Sequence, residues 1–423
     1  MDVGPFIKLH RTKQQMKQED LAKGIVSESY LSKIENQKTN ASYKVIQMLF
    51  IRLGVHQTDD AHSIYLQQKC NEWFGMLYES SDKKQLEIKY QELQYLIEGC
   101  FSDVHILFEI YKVRYFLLIG KKTESYQQLL VLKEIMGSFN DVELFYWYKF
   151  VGNYHSLSED YSMAINMYKQ AEEKLGQLDL DKRETADLNY TMAVTYSKLR
   201  NTLEVIDYIS SAMKYYRESY NLSRCAHGHI LLGIAYERIR DFDKAIKNYN
   251  LADDISKLNN NSELKRLVNI NLGYLHATKR ESDLAIDYFE KVLEDKGATT
   301  KDQLIAITCL SEEYYHTNEL DKKKAVIDRG MSILKKVDSS DKIYQFYHMK
   351  LYAHYYILTN QLSEFEQLVI DHLIPYLQRK NDYANLVTYG NLMGIHFEKR
   401  KKYKFATHYY KLANKAYEEL IQL

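Results

Sequence analysis

Apolar positions recur at helical spacing along almost the whole chain, but in two distinct patterns. Within the first 55 residues the pattern is short: Leu21, Ala22 and Ile25 make one apolar face, and Leu31 and Ile34, three apart, make another. Gly24 stands between the two groups, and Ser27 precedes the second as a side-chain N-cap. Two short helices joined by a tight turn are predicted, with Glu28, Ser29, Ser32 and Lys33 on the outward side of the second. Further on, the pattern becomes periodic. Gly152, Ala193, Gly233 and Gly273 are spaced 41, 40 and 40 residues apart. Each is followed twelve residues later by a small residue (Ala164, Val205, Ala245, Ala285) and four beyond that by a large one (Tyr168, Ile209, Tyr249, Phe289). Three more residues bring Ala171, Ala212, Ala252 and Val292, and a last copy reads Gly394, Ala406, Tyr410, Ala413.

Small residues at fixed spacing let paired helices cross closely, with an aromatic expected where the next pair stacks. This is the tetratricopeptide pattern. Its usual period is about 34, so these helices or their connections are longer, and the trailing proline of the pattern is missing. Segments 100–135, 300–336 and 343–380 fit helix pairs by length and amphipathicity. The chain therefore reads as all-α: a helix-turn-helix domain over 1–56, a linker over 57–68, and a right-handed tetratricopeptide-repeat superhelix over 69–423. Composition agrees, with only two prolines, Pro5 and Pro375, to break helices. The four cysteines, Cys70, Cys100, Cys225 and Cys309, are far apart with no CxxC, which suits reduced thiols rather than disulfides or a metal site. No signal peptide and no membrane span are expected, and the cytoplasm is the expected location.

Net charge is zero over the chain, but residues 1–55 carry nine Lys/Arg (Lys8, Arg11, Lys13, Lys17, Lys23, Lys33, Lys38, Lys44, Arg52) against five acids (Asp2, Glu19, Asp20, Glu28, Glu35). A basic head on a slightly acidic body suits phosphate contact at one end. In the repeats, the first helix of each pair is expected to line a concave wall, where side-chain amides can hold the backbone of an extended peptide. Asn153, Asn271 and Asn391 fall at inward-leaning positions, and Arg114, Lys149 and Glu237 would add charge selectivity. Enzyme motifs are missing: there is no HExxH, GxSxG, P-loop or GxGxxG. His227 and His229 point to different helix faces, and Asp241, Asp243, Asp253 and Asp254 fall where exposed acids are ordinary. No catalytic residue, cofactor or metal is expected.

Residues 4–55 resemble a Cro/repressor-type (XRE family) helix-turn-helix: Gly4, Arg11, the Gln18–Ala22 box, Leu31-Ser-Lys-Ile-Glu35, and closing Ile46, Leu49 and Leu53. The resemblance implies a phosphate contact by Gln18, an internal ion pair between Arg11 and Glu35, and base reading by Glu28, Ser29 and Lys33 with Ser27 and Ser32 beside them. Tyr30 would lie on the sugar-phosphate backbone or on its own domain, and Lys38 joins the DNA set. Lys33 suits guanine and Glu28 the cytosine amino group. The whole chain resembles the peptide-pheromone regulators grouped as Rap/Rgg/NprR/PlcR/PrgX, most of all the NprR type. Asn71-Glu-Trp-Phe74 is similar to the motif that opens the N-terminal helical segment of Rap proteins, here 69–135. Asn271-Leu-Gly273 is similar to the Asn-x-Gly of their peptide grooves. The resemblance implies a double-stranded operator and a short signalling peptide as ligands, a homodimer or higher homo-oligomer, and a quorum-sensing transcriptional regulator. Its alternative is a scaffold that sequesters the receiver domain of a response regulator. Ser102 stands where some Rap proteins carry a glutamine for dephosphorylation, so phosphatase chemistry is not expected.

Overall fold

The computed structural model describes residues 3–57, 60–79, 82–102, 104–337 and 342–422. It divides into two compact units, residues 1–195 and 196–423.

The first unit begins with the head: α1 (Val3–Lys13), α2 (Gln18–Ala22), α3 (Glu28–Glu35) and α4 (Tyr43–Leu53). Leu21, Leu31, Ile34, Leu49 and Leu53 meet Phe6 and Phe50 in one apolar core. Gly4 lies so close to α3 that a Cβ there would stand 2.1 Å from the Ile34 carbonyl oxygen. A short strand β1 (His56–Gln57) pairs in parallel with β2 (Cys100–Phe101). Between them run α5 (Asp60–Glu79) and α6 (Lys83–Ile97). The segment expected as a linker is thus helical from Asp60 onward, while residues 58–59 of it lie outside the described residues. Asp82 accepts from Lys84 N and Gln85 N to start α6. Next come the pairs α7 (His105–Leu118) with α8 (Lys122–Lys133) and α9 (Asp141–Leu157) with α10 (Tyr161–Leu175). Asn140 and Glu143 form a capping box at the start of α9.

Helix α11 (Lys182–Leu199) runs across the division, and the second unit continues with α12 (Thr202–Glu218). Its pairs are α13 (Leu222–Arg238) with α14 (Phe242–Leu258), α15 (Ser262–Thr278) with α16 (Ser282–Glu294), and α17 (Thr300–His316) with α18 (Leu320–Leu334). In the next pair α19 (Lys342–Leu358) faces a helix in three parts: α20 (Leu362–Leu368), a π turn (Val369–Leu373) and α21 (Ile374–Arg379). The π turn ends two residues before Pro375, whose ring would clash with a regular preceding turn, so the proline deforms the helix instead of ending it. The chain closes on α22 (Tyr383–Lys399) and α23 (Tyr403–Gln422).

The repeat phase read from sequence is the phase of the structure, with one correction. The large residue sixteen positions after each small one covers the glycine of its own pair, not the next pair. A Cβ on Gly152 would stand 2.4 Å from the Tyr168 ring, on Gly233 2.3 Å from Tyr249, on Gly273 2.6 Å from Phe289, and on Gly394 2.4 Å from Tyr410. The ring fills the space a side chain would need, which is why the first position must be small. Seven residues after each small residue the chain turns in the left-handed region, at Glu159, Arg200, Arg240, Arg280 and Lys401. These non-glycine turns help explain how so glycine-poor a chain makes so many hairpins. Asp160 and Asp241, one residue further on, cap the following helices through their side chains.

Candidate DNA-reading face and repeat wall

Within the head, Gly24 turns the chain at φ +72, a conformation that glycine adopts without strain. Ser27 then accepts from the Tyr30 amide at 3.2 Å and starts α3. The helix buries Leu31 and Ile34 and leaves Glu28, Ser29 and Lys33 exposed, with Ser27 and Lys38 exposed beside it and Ser32 half-buried. Tyr30 packs against the head's own core, and its hydroxyl donates to the Asn40 carbonyl at 3.4 Å. Arg11 holds the buried Glu35 through two bonds of 2.6 and 2.9 Å and donates to the Met16 carbonyl. Gln18 joins this network, its amide donating to Glu35 at 2.7 Å, so the side chain expected on phosphate is tied to the internal ion pair. Arg52, counted in sequence among the head's basic charges, instead donates to the Leu21 and Lys23 carbonyls at the end of α2. Lys8 and Lys13 turn to the body, toward the Glu134 carbonyl and Glu109. The outer basic set of the head is then Lys17, Lys23, Lys33, Lys38 and Lys44, against Glu19, Asp20 and Glu28.

The repeat candidates separate into two kinds. In the first unit, Arg114 and Lys149 are buried, with Lys149 fully so. Lys149 bonds Glu184 at 2.8 Å and Asp187 at 2.9 Å, while Arg114 lies 3.7 Å from Asp187 and donates to the Leu77 carbonyl. This corrects the expectation of open charges on a concave wall: both cations are closed inside, their charge met by acids of α11. Tyr78 of α5 donates to Glu184 at 2.9 Å, and its ring has the cations of Arg114, Lys149 and Arg183 at 4.6, 5.1 and 4.7 Å. Burial and the Glu184 charge push the Tyr78 hydroxyl well above its ordinary pKa. Sequence reading missed Tyr78, Arg183, Glu184 and Asp187. The signal available was the pair of acids three apart at the start of a first helix. Asn153 is half-buried and accepts from the Tyr168 hydroxyl at 2.8 Å.

In the second unit, Asn271 is half-buried and its amide donates to the Leu267 carbonyl one turn back at 2.7 Å. Glu237 accepts from Tyr249 at 3.0 Å and from Thr278 at 3.4 Å, and burial raises its pKa. Asn391 is exposed. Near Glu237, burial and the charge of Arg200 bring Arg238 down to about 10.

On α5, Trp73 and Phe74 of the Asn71–Phe74 motif are core residues: Trp73 packs on Phe108 and Tyr115, and Phe74 stacks on Tyr111 at 3.8 Å. Asn71 and Glu72 are exposed. Ser102 is buried and accepts from the Val104 amide; its neighbour Asp103 lies outside the described residues. Among the described residues, no group of three or more His, Cys, Asp or Glu could hold a metal, and no helix is long and apolar enough to cross a membrane. The cysteines are unpaired, and Cys100 is half-buried rather than buried.

Residues 7–56 match the helix-turn-helix family, and residues 145–304 match the soluble NSF attachment protein family. Over 410 residues the chain is 32% identical to the transcriptional activator NprA of Geobacillus stearothermophilus, covering 95% of this chain and 100% of that protein. This chain belongs to the Rap/Rgg/NprR/PlcR/PrgX group of regulators. The fold agrees. A Rap protein complexed with competence and sporulation factor superposes with a TM-score of 0.70 at 19% identity, over 85% of this chain and 99% of that one. The apo form of the quorum sensor NprR from B. thuringiensis gives 0.69 at 17% identity, over 84% and 99%.

Proposed function

We propose that the protein is a transcriptional regulator that reads operator DNA with α3 and is switched by a short peptide held on its helical repeats. The observation that carries this reading is the free outer face of α3, capped by Ser27, on a chain matched from end to end by a transcriptional activator. In this reading Glu28, Ser29 and Lys33 read base edges, with Ser27, Ser32 and Lys38 on the flanks. Gln18 and Tyr30 position α3 from inside the head, through Glu35 and Asn40. Asn271, Asn153 and Asn391 are the amides offered to peptide backbone, and Glu237 the charged group beside them. Arg114 and Lys149 act on such a ligand only through the acids that hold them. A homodimer bound to two half-sites related by a dyad follows from the usual symmetry of such heads. The work is binding, not catalysis, and is done in the cytoplasm.

The test is a pair of titrations on the full chain. Lys33→Ala should weaken binding to operator DNA by about 1–3 kcal/mol and leave binding to random duplex nearly unchanged. Asn271→Ala should abolish calorimetric binding of peptides encoded beside the gene. An equal loss on random DNA would reduce Lys33 to phosphate contact, and an unaltered peptide isotherm would remove Asn271 from the site.

A second reading, sequestration of a response-regulator receiver domain, is favoured by one observation. Around exposed Asn71 and Glu72, α5 and α6 present Ile64, Tyr65, Ile88 and Tyr95 at 70, 44, 55 and 83% exposure. Failure of a purified receiver domain to be retained by the apo protein would eliminate it.

A further inference from the structure

Within the first unit, the head is docked on the helices that follow it through a junction of unusual composition. Phe6 and Phe50 of the head meet Phe101 at ring separations of 4.8 and 5.3 Å, an ordinary apolar contact. Beside it two imidazoles face each other across the junction. His10 of α1 and His105 of α7 have ring centroids 4.8 Å apart, and Phe6 packs on both at 4.3 and 5.1 Å. His10 is 8% exposed and His105 2%. Among the described residues, neither ring nitrogen of His105 has a hydrogen-bond partner, nor does Nε2 of His10. They line a cavity of about 580 Å³ together with Lys13, His56, Glu98, Glu109 and Lys112.

The surrounding charges decide which protonation state this junction tolerates. Among the described residues, Glu109 is the buried acid beside the rings. Its oxygens are held by Lys13 at 2.6 Å, Lys112 at 3.2 Å and the Gln128 amide at 2.8 Å. His105 Nε2 stands 3.9 Å from Glu109, beyond hydrogen-bonding range. Glu98 at the end of α6 is exposed, and His56 of β1 is exposed as well. An imidazolium here would be desolvated next to two lysines that already occupy the Glu109 carboxylate. Burial, then Lys13, bring His10 down to about 4, and burial holds His105 well below its ordinary value.

We propose that this junction is a proton-operated latch, in which neutral His10 and His105 keep the DNA-reading head docked and their protonation releases it. Once undocked, both rings regain an ordinary pKa near 6.5. An imidazole whose pKa is depressed in the docked state favours docking above pH ~6.5 and loses that preference as pH falls toward its docked value. At pH 5.5 each freed histidine is protonated about tenfold over its neutral form, so docking weakens about tenfold per ring and ~100-fold for both. Glu109 stays ionised across this range, because Lys112 and Lys13 outweigh the cost of its burial, so it contributes no opposing titration.

The test is hydrogen exchange on the full chain at pH 7.5 and 5.5, with times scaled for the intrinsic rate. Amides of α1 and α7 should lose protection by up to ~100-fold at the lower pH, while those of α13–α16 keep theirs. The double variant His10→Phe, His105→Phe should keep α1 and α7 protected at both values. If that variant fails to fold, His10→Phe alone should shrink the drop about tenfold. A wild-type junction equally protected at both values, or the same drop in the histidine variants, would overturn the proposal. Its consequence for transcription rests on the DNA-binding reading above. Exchange is read without DNA, so failure of the latch and failure of that reading are separate results.

Discussion

The regular pairs α13–α16 and the helices α7–α11 of the first unit pack the same kind of helix with different chemistry. In α13–α16 the interior is mainly apolar and modular: Ala226, Ala245, Tyr249, Ala252, Leu264 and Val268 make one cluster, each aromatic ring fills the space above a glycine of its own pair, and the buried Arg266 is met at the edge by Asp295 and Asp302. In α7–α11 the apolar interior also encloses several ion pairs. Glu109 with Lys112, and Arg114 and Lys149 with Glu184 and Asp187, are all buried. An apolar repeat can be copied along a chain because each copy is neutral to its neighbours. A buried charge is stable only opposite its own partner, so it fixes one arrangement of particular helices. The helices α7–α11 are therefore a region where geometry is specified residue by residue, and α7 is also where the head is docked.

That contrast can be broken most forcefully at Lys149. Lys149→Met leaves Glu184 and Asp187 buried without their main cation, and the first unit should lose about 3–5 kcal/mol. Both tryptophans, Trp73 and Trp147, lie in this unit, so urea unfolding followed by tryptophan fluorescence reads the loss directly. Adding Glu184→Leu, while Asp187 stays to meet Arg114, should restore part of it; if it does not, the cluster is held by more than charge. In the apolar region, Gly233→Val drives a side chain into the Tyr249 ring and should cost about 1–3 kcal/mol by circular dichroism melts. Combining Gly233→Ala with Tyr249→Ile reproduces the residues at positions 193 and 209 and should recover stability. A smaller effect, about 1 kcal/mol, is expected for Tyr249→Phe, which removes the donor to Glu237. The double variant Tyr249→Phe, Glu237→Ala should be less harmful than the single one, because the half-buried Glu237 carboxylate is then not left with Thr278 alone. Ser27→Ala should cost the head about 1 kcal/mol or less by removing the α3 cap, visible as faster exchange in α3 alone.

The tyrosines show how far the repeat motif can be read. Gly233 and Gly394 are each followed by a tyrosine sixteen residues on and by a glutamate four residues on, and Tyr249 and Tyr410 donate to Glu237 and Glu398. In the copy that carries Phe289, the fourth residue after Gly273 is Ala277, which offers no acceptor to a ring that offers no hydroxyl. This pairing was legible as a covariation between copies within one chain, yet Glu237 was read from sequence as a ligand-facing charge. The aromatic itself was assigned to the next pair, because spacing gives a residue's phase on its helix but not which neighbour fills the space beside it.

Sequence alone determined what is local or periodic: the head's turn at Gly24, the cap at Ser27, and the phase of the helix pairs. Each depends on backbone preference or on a spacing repeated within the chain, and neither needs a distant partner. Only the tertiary structure decided the rest. It closed Arg114 and Lys149 inside, tied Gln18 to Glu35, and made residues 60–68 helix instead of linker. It also set His10 against His105. These outcomes turn on which side chains, dozens of residues apart, share one low-dielectric space. There the cost of an unpaired charge or donor, which no spacing records, selects the arrangement.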